Sequence, residues 1–413
     1  MILISFALQV VAIGMTHQFR PRAQDDHFGF GWEMGRIGRS LAMGQGFSNP
    51  YGDSTGPTAW EPPLYPLLTG GVFRIFGVYT AASAWVLLTI NSFLNALTCI
   101  PVFLIARKFL GEKLALWSAW IWALLPYEMY WAVHWVFDTT FSPFFLSLII
   151  WLSLELAERG GWKKWAWFGA LWGMLALSNP STLSFLPFSG LWVWHQRHKR
   201  GLPSFKPAVL AAAIFFLCIT PWLVRNHHVF GRWVFIRDDF GMQLRLGNGP
   251  YADGMWRAYL QPNLNVEEFA AFRRLGELAY AERCRQLAFA WIRQNPARFA
   301  LNSLKRFFYF WGGVPKDTNS LAWMDWRNSL FLASSVLALW GLGRAIRKKK
   351  PGAGLFLWLV LSYPAIYYFV YPHARYRHPI EPELLILGVY LISEASSRPK
   401  NSPLDNGPPQ RPQ

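Results

Sequence analysis

Charge is scarce in this chain. Only 15% of its 413 residues are Asp, Glu, Lys or Arg, whereas a soluble domain carries about a quarter. Acid is scarcer than base: 23 Asp and Glu stand against 40 Lys and Arg, a formal net charge of +17. Cysteine is nearly absent. Cys99, Cys218 and Cys284 have no metal-ligand spacing and imply no disulfide framework. Cys99 and Cys218 fall in apolar runs and are expected to pack there. No internal repeat is visible, and the apolar runs are almost free of charge. Transporters often show repeats and ionisable groups inside their spans. Both absences therefore count against a transporter or lipid-linked sugar flippase, which stands as the alternative function.

What the chain has instead is apolar and aromatic surface: 53% hydrophobic residues, 17% aromatic, and 24 Trp. Trp favours membrane–water interfaces, where its ring is apolar and its N–H stays wet. About ten apolar segments approach the roughly 20 residues that a bilayer span needs. They are residues 2–14, 81–105, 114–133, 141–156, 165–177, 183–194, 208–224, 330–342, 355–370 and 384–393. Residues 67–76 are also apolar and are expected at the interface or re-entrant. The fold class is thus an all-α polytopic membrane protein embedded in a lipid bilayer. The apolar start, residues 1–14, has no basic flank and no convincing cleavage site, so it reads as an anchor helix.

Basic residues come in short bursts between these segments: Arg107, Lys108 and Lys113; Arg159, Lys163 and Lys164; Arg197, Lys199 and Arg200; Arg344 and residues 347–350. They recur on one side of the alternating topology, which the positive-inside rule makes cytoplasmic. This pattern accounts for the net charge without nucleic acid as a partner. Two large loops then face outward, residues 16–77 and 226–327. The domain reading follows: an N-terminal membrane domain at 1–225, the second loop at 226–327 with an amphipathic stretch at 282–311, C-terminal spans at 328–395, and a disordered cytoplasmic tail at 396–413. Phe307, Phe308, Tyr309, Phe310 and Trp311 are expected in the interface plane.

The first outer loop concentrates candidates for chemistry. Glu33, Arg36, Ile37, Ser40 and Leu41 recur at helical spacing, and Gly44 and Gly46 end the helix. Glu33 stands near its start, where the dipole favours a carboxylate. It is either a solvated face or a carboxylate at the mouth of a membrane cavity. Asp25 and Asp26 lie upstream. Pro62, Pro63 and Pro66 predict extended backbone before the next apolar stretch. His134 and Asp138 share a short outer connection; alone they make no metal site, and Asp138 could equally cap the helix that follows. Arg375 and Arg377, with His373 and His378 close by, suit either bidentate phosphate binding or headgroup anchoring. In the second loop, Arg237, Asp238, Asp239 and Asn248 mark an ordered segment, with Asp238-Asp239 read as a turn rather than a metal clamp.

Three features together resemble the GT-C glycosyltransferases, in the branch related to protein O-mannosyltransferases and aminoarabinose transferases. They are R-S-L-A-M-G-Q-G-F at 39–47 with P-P-L-Y-P at 62–66, the large first outer loop among many spans, and R-Y-R-H-P-I-E-P at 375–382. The resemblance implies transfer of a sugar from a polyprenyl-phosphate donor to a lipid, polymer or protein acceptor, with inversion. It also implies an acidic base in the first outer loop. Glu33 is favoured here because it shares a helix with Arg39, with Asp26 next. Asp138 is the candidate second acid. Arg375 and Arg377 would hold the donor phosphate, and His134, Arg39 and Tyr65 would position substrate. No residue is assigned to metal, and a divalent metal stays open as a cofactor because dependence varies within the superfamily. The expected location is a bacterial inner membrane, with the site facing the periplasm or exterior.

Overall fold

The computed structural model describes residues 1–20, 28–52, 54–256, 258–315 and 326–396. Asp25, Asp26 and the tail beyond Ser396 lie outside the described residues. Among the described residues every regular element is helical; the one β-bridge joins Ser48 to Pro57. The first half holds α1 (Ile2–Thr16), α2 (Glu33–Ala42), α3 (Leu64–Phe76), α4 (Ala81–Leu97), α5 (Cys99–Leu110), α6 (Glu112–Leu124), α7 (Pro126–His134), α8 (Phe141–Glu158), α9 (Trp162–Ala176) and α10 (Leu186–Lys199). The second half holds α11 (Phe205–Phe230), α12 (Phe240–Gly247), α13 (Val266–Leu275), α14 (Glu277–Gln294), α15 (Pro296–Gly312), α16 (Trp326–Arg347), α17 (Ala353–Ser362), α18 (Ala365–Phe369) and α19 (Glu381–Ser396).

Among the described residues, four helical stretches are long and apolar enough to cross a membrane: Ala81–Leu110, Asp138–Glu158, Phe205–Phe230 and Asn328–Arg347. Ile2–Thr16, Leu64–Phe76 and Ala353–Phe369 are apolar but shorter. Each of the ten expected segments is largely helical, yet several are interrupted. The 114–133 run breaks where Leu125 turns extended at ψ 112°, ahead of Pro126 at the start of α7. Proline disfavours the α conformation in the residue before it. The amphipathic stretch likewise divides into α14 and α15, because Asn295 precedes Pro296 and leaves helical geometry. Residues 64–66 depart from the extended reading. They are already the first turn of α3, where the missing N–H of Pro66 has no intrahelical partner to lose.

Helix α8 is the hub, with α4, α5, α9, α10 and α19 packed around it. Small residues let α9 and α11 approach: a Cβ on Gly169 would stand 2.1 Å from the Ala211 carbonyl oxygen, and one on Gly173 2.5 Å from Cys218 Cβ. Small-xxx-small seams of this kind allow close backbone contact between membrane helices. Cys99 and Cys284 are buried and Cys218 is half-buried, all as free thiols. Phe310 and Trp311 are buried, whereas Phe307 and Phe308 are exposed. Only part of the aromatic cluster at the end of α15 therefore faces outward.

The two large connecting segments, residues 16–77 and 226–327, meet where Thr58–Trp60 approaches Arg225 and Glu277. Arg225 donates to the carbonyl oxygens of Thr58 and Phe47 at 2.6 and 2.7 Å. Glu277 accepts from the Thr58 hydroxyl and from the Ala59 N–H. Burial pushes the Glu277 carboxyl up to about 8, against the pull of those hydrogen bonds. Thr58–Trp60 is thereby pinned beneath the second loop, which closes a cavity over the helix ends.

One of the expected spans does carry a buried acid: Glu128 lies within residues 114–133 and is 1% exposed. Close to it, in the turn before α19 and in its first turn, Arg377, His378, Glu381 and Glu383 are each at most 6% exposed. Arg377 pairs with Glu381, His378 Nδ1 lies 2.6 Å from Glu128 Oε2, and the Ser147 hydroxyl donates to Glu383 at 2.8 Å.

Candidate active site

Glu33 owes its place to the backbone before it. Gly31 has φ 78° and Trp32 has φ 49°, conformations that L-residues rarely adopt. A Cβ on Gly31 would stand 2.5 Å from the Val136 carbonyl oxygen. This turn lays the start of α2 against residues 136–138 and sets Glu33 in the first helical turn. Glu33 is only 8% exposed. Burial raises its carboxyl above the usual range, while Arg36, Arg375 and Arg237 pull it down.

A cavity of about 320 Å³ opens here, and Glu33, Glu61, Asp138, Asp239, Arg237 and Arg375 all line it. Glu61 follows Trp60 in the pinned strip. Burial pushes it up to about 8, with Arg237 opposing and Glu33 reinforcing. Arg237 Nη2 lies 3.3 Å from Glu61 and also pairs with Asp239, and its Nε donates to the Trp60 carbonyl at 3.2 Å. Asp238, just off this group, is raised to about 7 by burial. Asp138 begins the short turn that leads into α8.

Arg375 enters from the far wall. Its guanidinium lies 4.3 Å from the centre of the Phe137 ring and 5.8 Å from that of Trp32. Its Nε and Nη1 atoms are shielded from solvent and have no hydrogen-bond partner. His373 also lines the cavity; burial first, and then Arg375, push its imidazole down to about 3, so it stays neutral. A cavity lined by carboxylates and by a guanidinium with two unpartnered nitrogens can hold an anion while a carboxylate takes a proton.

The structure therefore brings Glu33, Asp138 and Arg375 together. It does not bring Arg377 to them. Arg377 is 1% exposed, pairs with Glu381, donates to the Phe331 carbonyl oxygen at 3.1 Å and to the Ser334 hydroxyl at 2.6 Å, and lies over the Phe331 ring. Every face of that guanidinium is occupied by the protein, which leaves it no room for a donor phosphate. His134 stacks on Tyr130 at 4.3 Å, Tyr65 shares hydrogen bonds with Asn91, and Arg39 is half-buried on α2. None of these three is among the cavity-lining residues. Among the described residues, no group of three His, Cys, Asp or Glu could hold a metal ion.

Sequence reasoning missed Glu61, Gln243 and Tyr371 as cavity residues. Glu61 did leave a signal: a carboxylate between Trp60 and a rigid proline pair, in a chain that has few acids. Gln243 left none, because one amide in an apolar helix looks like any solvated side chain.

Residues 60–224 match the family model described as dolichyl-phosphate-mannose-protein mannosyltransferase. No curated protein matches the chain. Among solved structures it is similar to the oligosaccharyltransferase of Archaeoglobus fulgidus, crystallised with Zn and sulfate: TM-score 0.51 at 15% identity, over 96% of this chain and 49% of that one. The same archaeal enzyme, AglB, with an inhibitory peptide and a dolichol-phosphate, aligns with TM-score 0.51 at 14% identity, over 94% of this chain and 50% of that one. ArnT from Cupriavidus metallidurans bound to undecaprenyl phosphate aligns with TM-score 0.42 at 11% identity, over 95% of this chain and 78% of that one. The chain spans about half the length of the archaeal enzymes it matches. By family match over residues 60–224 and by fold over nearly its whole length, the chain is similar to the GT-C membrane glycosyltransferases.

Proposed function

We propose that this protein is an integral membrane glycosyltransferase that moves a sugar from a polyprenyl-phosphate donor to an acceptor hydroxyl on the extracytoplasmic side. The observation that carries the reading is Arg375, whose Nε and Nη1 are shielded and unpartnered in a cavity shared with Glu33 and Asp138. Two guanidinium nitrogens without a protein acceptor are a ready site for a phosphate oxygen pair. The similar archaeal structure in complex with a dolichol-phosphate supports a lipid phosphate as that anion. A lipid-linked donor stays in the bilayer, so its headgroup must react where the helices end, which is where the cavity lies.

In this reaction the acceptor oxygen attacks the anomeric carbon as the bond from that carbon to the phosphate oxygen breaks. The electron pair leaves with the phosphate, whose charge Arg375 offsets. The acceptor proton passes to a carboxylate, Glu33 first and Asp138 second, with Asp26 the remaining candidate outside the described residues. One displacement inverts the anomeric centre. With ten spans, both termini are cytoplasmic and residues 226–327 face the periplasm or exterior of a bacterial inner membrane. The acceptor is a lipid, a polymer or a protein hydroxyl.

A transporter or flippase is the second reading, favoured by the buried ionisable group of Glu128, Arg377, His378, Glu381 and Glu383. In that group Arg377 is paired with Glu381 and, unlike Arg375, offers no unpartnered guanidinium nitrogen to a ligand. The test is transfer of labelled sugar from an undecaprenyl-phosphate sugar to a lipid extract in membranes that contain the protein. Sugar transfer lost in Arg375→Ala supports the enzyme. Movement of lipid across vesicles without transfer overturns it.

A further inference from the structure

A hydrogen-bonded wall runs along the cavity, and the phosphate chemistry leaves it unused. Arg237 joins Glu61 to Asp239. Asp239 accepts from Gln243 Nε2 at 2.6 Å, and the Oε1 of Gln243 accepts from the Tyr371 hydroxyl. This chain ties three segments distant in sequence: the strip before α3, the start of α12 and the turn after α18. All five side chains line the cavity. A closed network of this kind fixes each group in one orientation. It also leaves outward-facing capacity, since a carboxamide has two N–H donors and a carboxylate about four acceptor positions.

We infer that this wall is the sugar-reading subsite and that the sugar it takes carries no carboxylate and is recognised through its hydroxyls. The assignment rests on the donor reading above. Alternating fixed donors and acceptors match a ring of hydroxyls, which both donate and accept. The charge pattern excludes a uronate. Arg237 is already shared between Glu61 and Asp239, and Arg375 is committed to the phosphate. A sugar carboxylate would therefore meet the acidic side chains of Glu33, Glu61, Asp138 and Asp239 without a free cation to offset its burial, and a buried unpaired charge is costly.

Gln243 is the residue to test, because it joins Asp239 to Tyr371 through its amide alone. Binding to purified protein would be measured for undecaprenyl phosphate, undecaprenyl-phosphate glucose, undecaprenyl-phosphate mannose and undecaprenyl-phosphate glucuronate. The wild type should bind at least one of the two hexosyl lipids more tightly than the bare lipid phosphate, and the glucuronosyl lipid more weakly than that hexosyl lipid. Gln243→Ala should weaken the preferred hexosyl lipid about tenfold, as expected for one lost hydrogen bond in a polar site, and leave undecaprenyl phosphate unchanged. Gln243→Glu, which keeps the shape, serves if the alanine variant melts early. The subsite is overturned if the glutamine variants weaken all four lipids equally or none of them. The carboxylate-free class is overturned if the glucuronosyl lipid binds as tightly as the hexosyl lipids. If the wild type binds no undecaprenyl phosphate, or Arg375→Ala leaves that binding intact, the donor reading fails and the subsite fails with it.

Discussion

Arg375 and Arg377 are two residues apart and belong to opposite kinds of environment. Arg375 lies over Phe137 and Trp32 with two nitrogens unpartnered. Arg377 is enclosed by Glu381, Ser334 and the Phe331 carbonyl. One cation is held ready by aromatic faces, and the other is used up in joining α16 to α19. The contrast teaches that a buried guanidinium marks a binding site when the protein leaves its hydrogen-bonding capacity open. A guanidinium whose partners are all internal is a structural bolt.

The comparison can be broken or sharpened by a short series of variants. The largest effect is expected on the carboxylate facing Arg375. Glu33→Gln keeps shape but cannot accept a proton, so transfer should fall by about 10²–10⁴-fold with folding and donor binding retained. Asp138→Asn and Asp26→Asn belong beside it. A fully active Glu33→Gln with a dead Asp26→Asn would move the base upstream, and activity in all three would refute a carboxylate base.

Arg377→Ala comes next and should act on stability. Removing one partner of a buried pair leaves Glu381 uncompensated, a loss of about 3–5 kcal/mol, read as a lower melting temperature in detergent. Arg375→Ala should do the reverse: melting nearly unchanged, and affinity for undecaprenyl phosphate reduced by about 1.5–3 kcal/mol. Lys at position 375 should restore charge but not the fork. If Arg377→Ala lost lipid phosphate binding without any change in melting, the division between the two arginines would be wrong.

A smaller effect concerns pH. The Glu61 carboxyl is raised from 4.5 to about 8 in the fold, so the folded state holds its proton more tightly than the unfolded chain does. Its contribution to stability is present below the unfolded value and is lost as pH rises through the folded one. Glu61→Gln should therefore flatten the decline of melting temperature between about pH 4.5 and 8. An identical decline in the variant would assign that proton elsewhere.

The smallest perturbation tests sidedness. Single cysteines placed at Val266, which is 86% exposed, and at Lys349 should label from opposite faces of the membrane. Labelling of both from one face would overturn the orientation.

How much of this was legible beforehand differs from residue to residue. Glu33 could be placed at a helix start from the spacing of Arg36, Ile37 and Ser40, because helical periodicity is local. The terminating role of Gly44 and Gly46, both at positive φ, was equally local. Glu128 and Glu383 were not legible, because their partners, His378 and Ser147, lie hundreds of residues away in sequence. Nor was Arg377 separable from Arg375: R-Y-R gives both arginines the same composition, spacing and neighbours. Gln243 had no local signature at all.

The sequence by itself determined the apolar helices, their breaks at Pro126 and Pro296, and the gathering of acids and arginines into the segments between them. Those outcomes depend on residue type and on neighbours within one or two helical turns. Only the tertiary structure decided which carboxylates share a cavity, that Glu61 and Gln243 join them, and which arginine faces it. A side chain's chemistry in a folded protein is set by what surrounds it, and the surroundings of Arg375 and Arg377 are supplied by segments far from either in the chain.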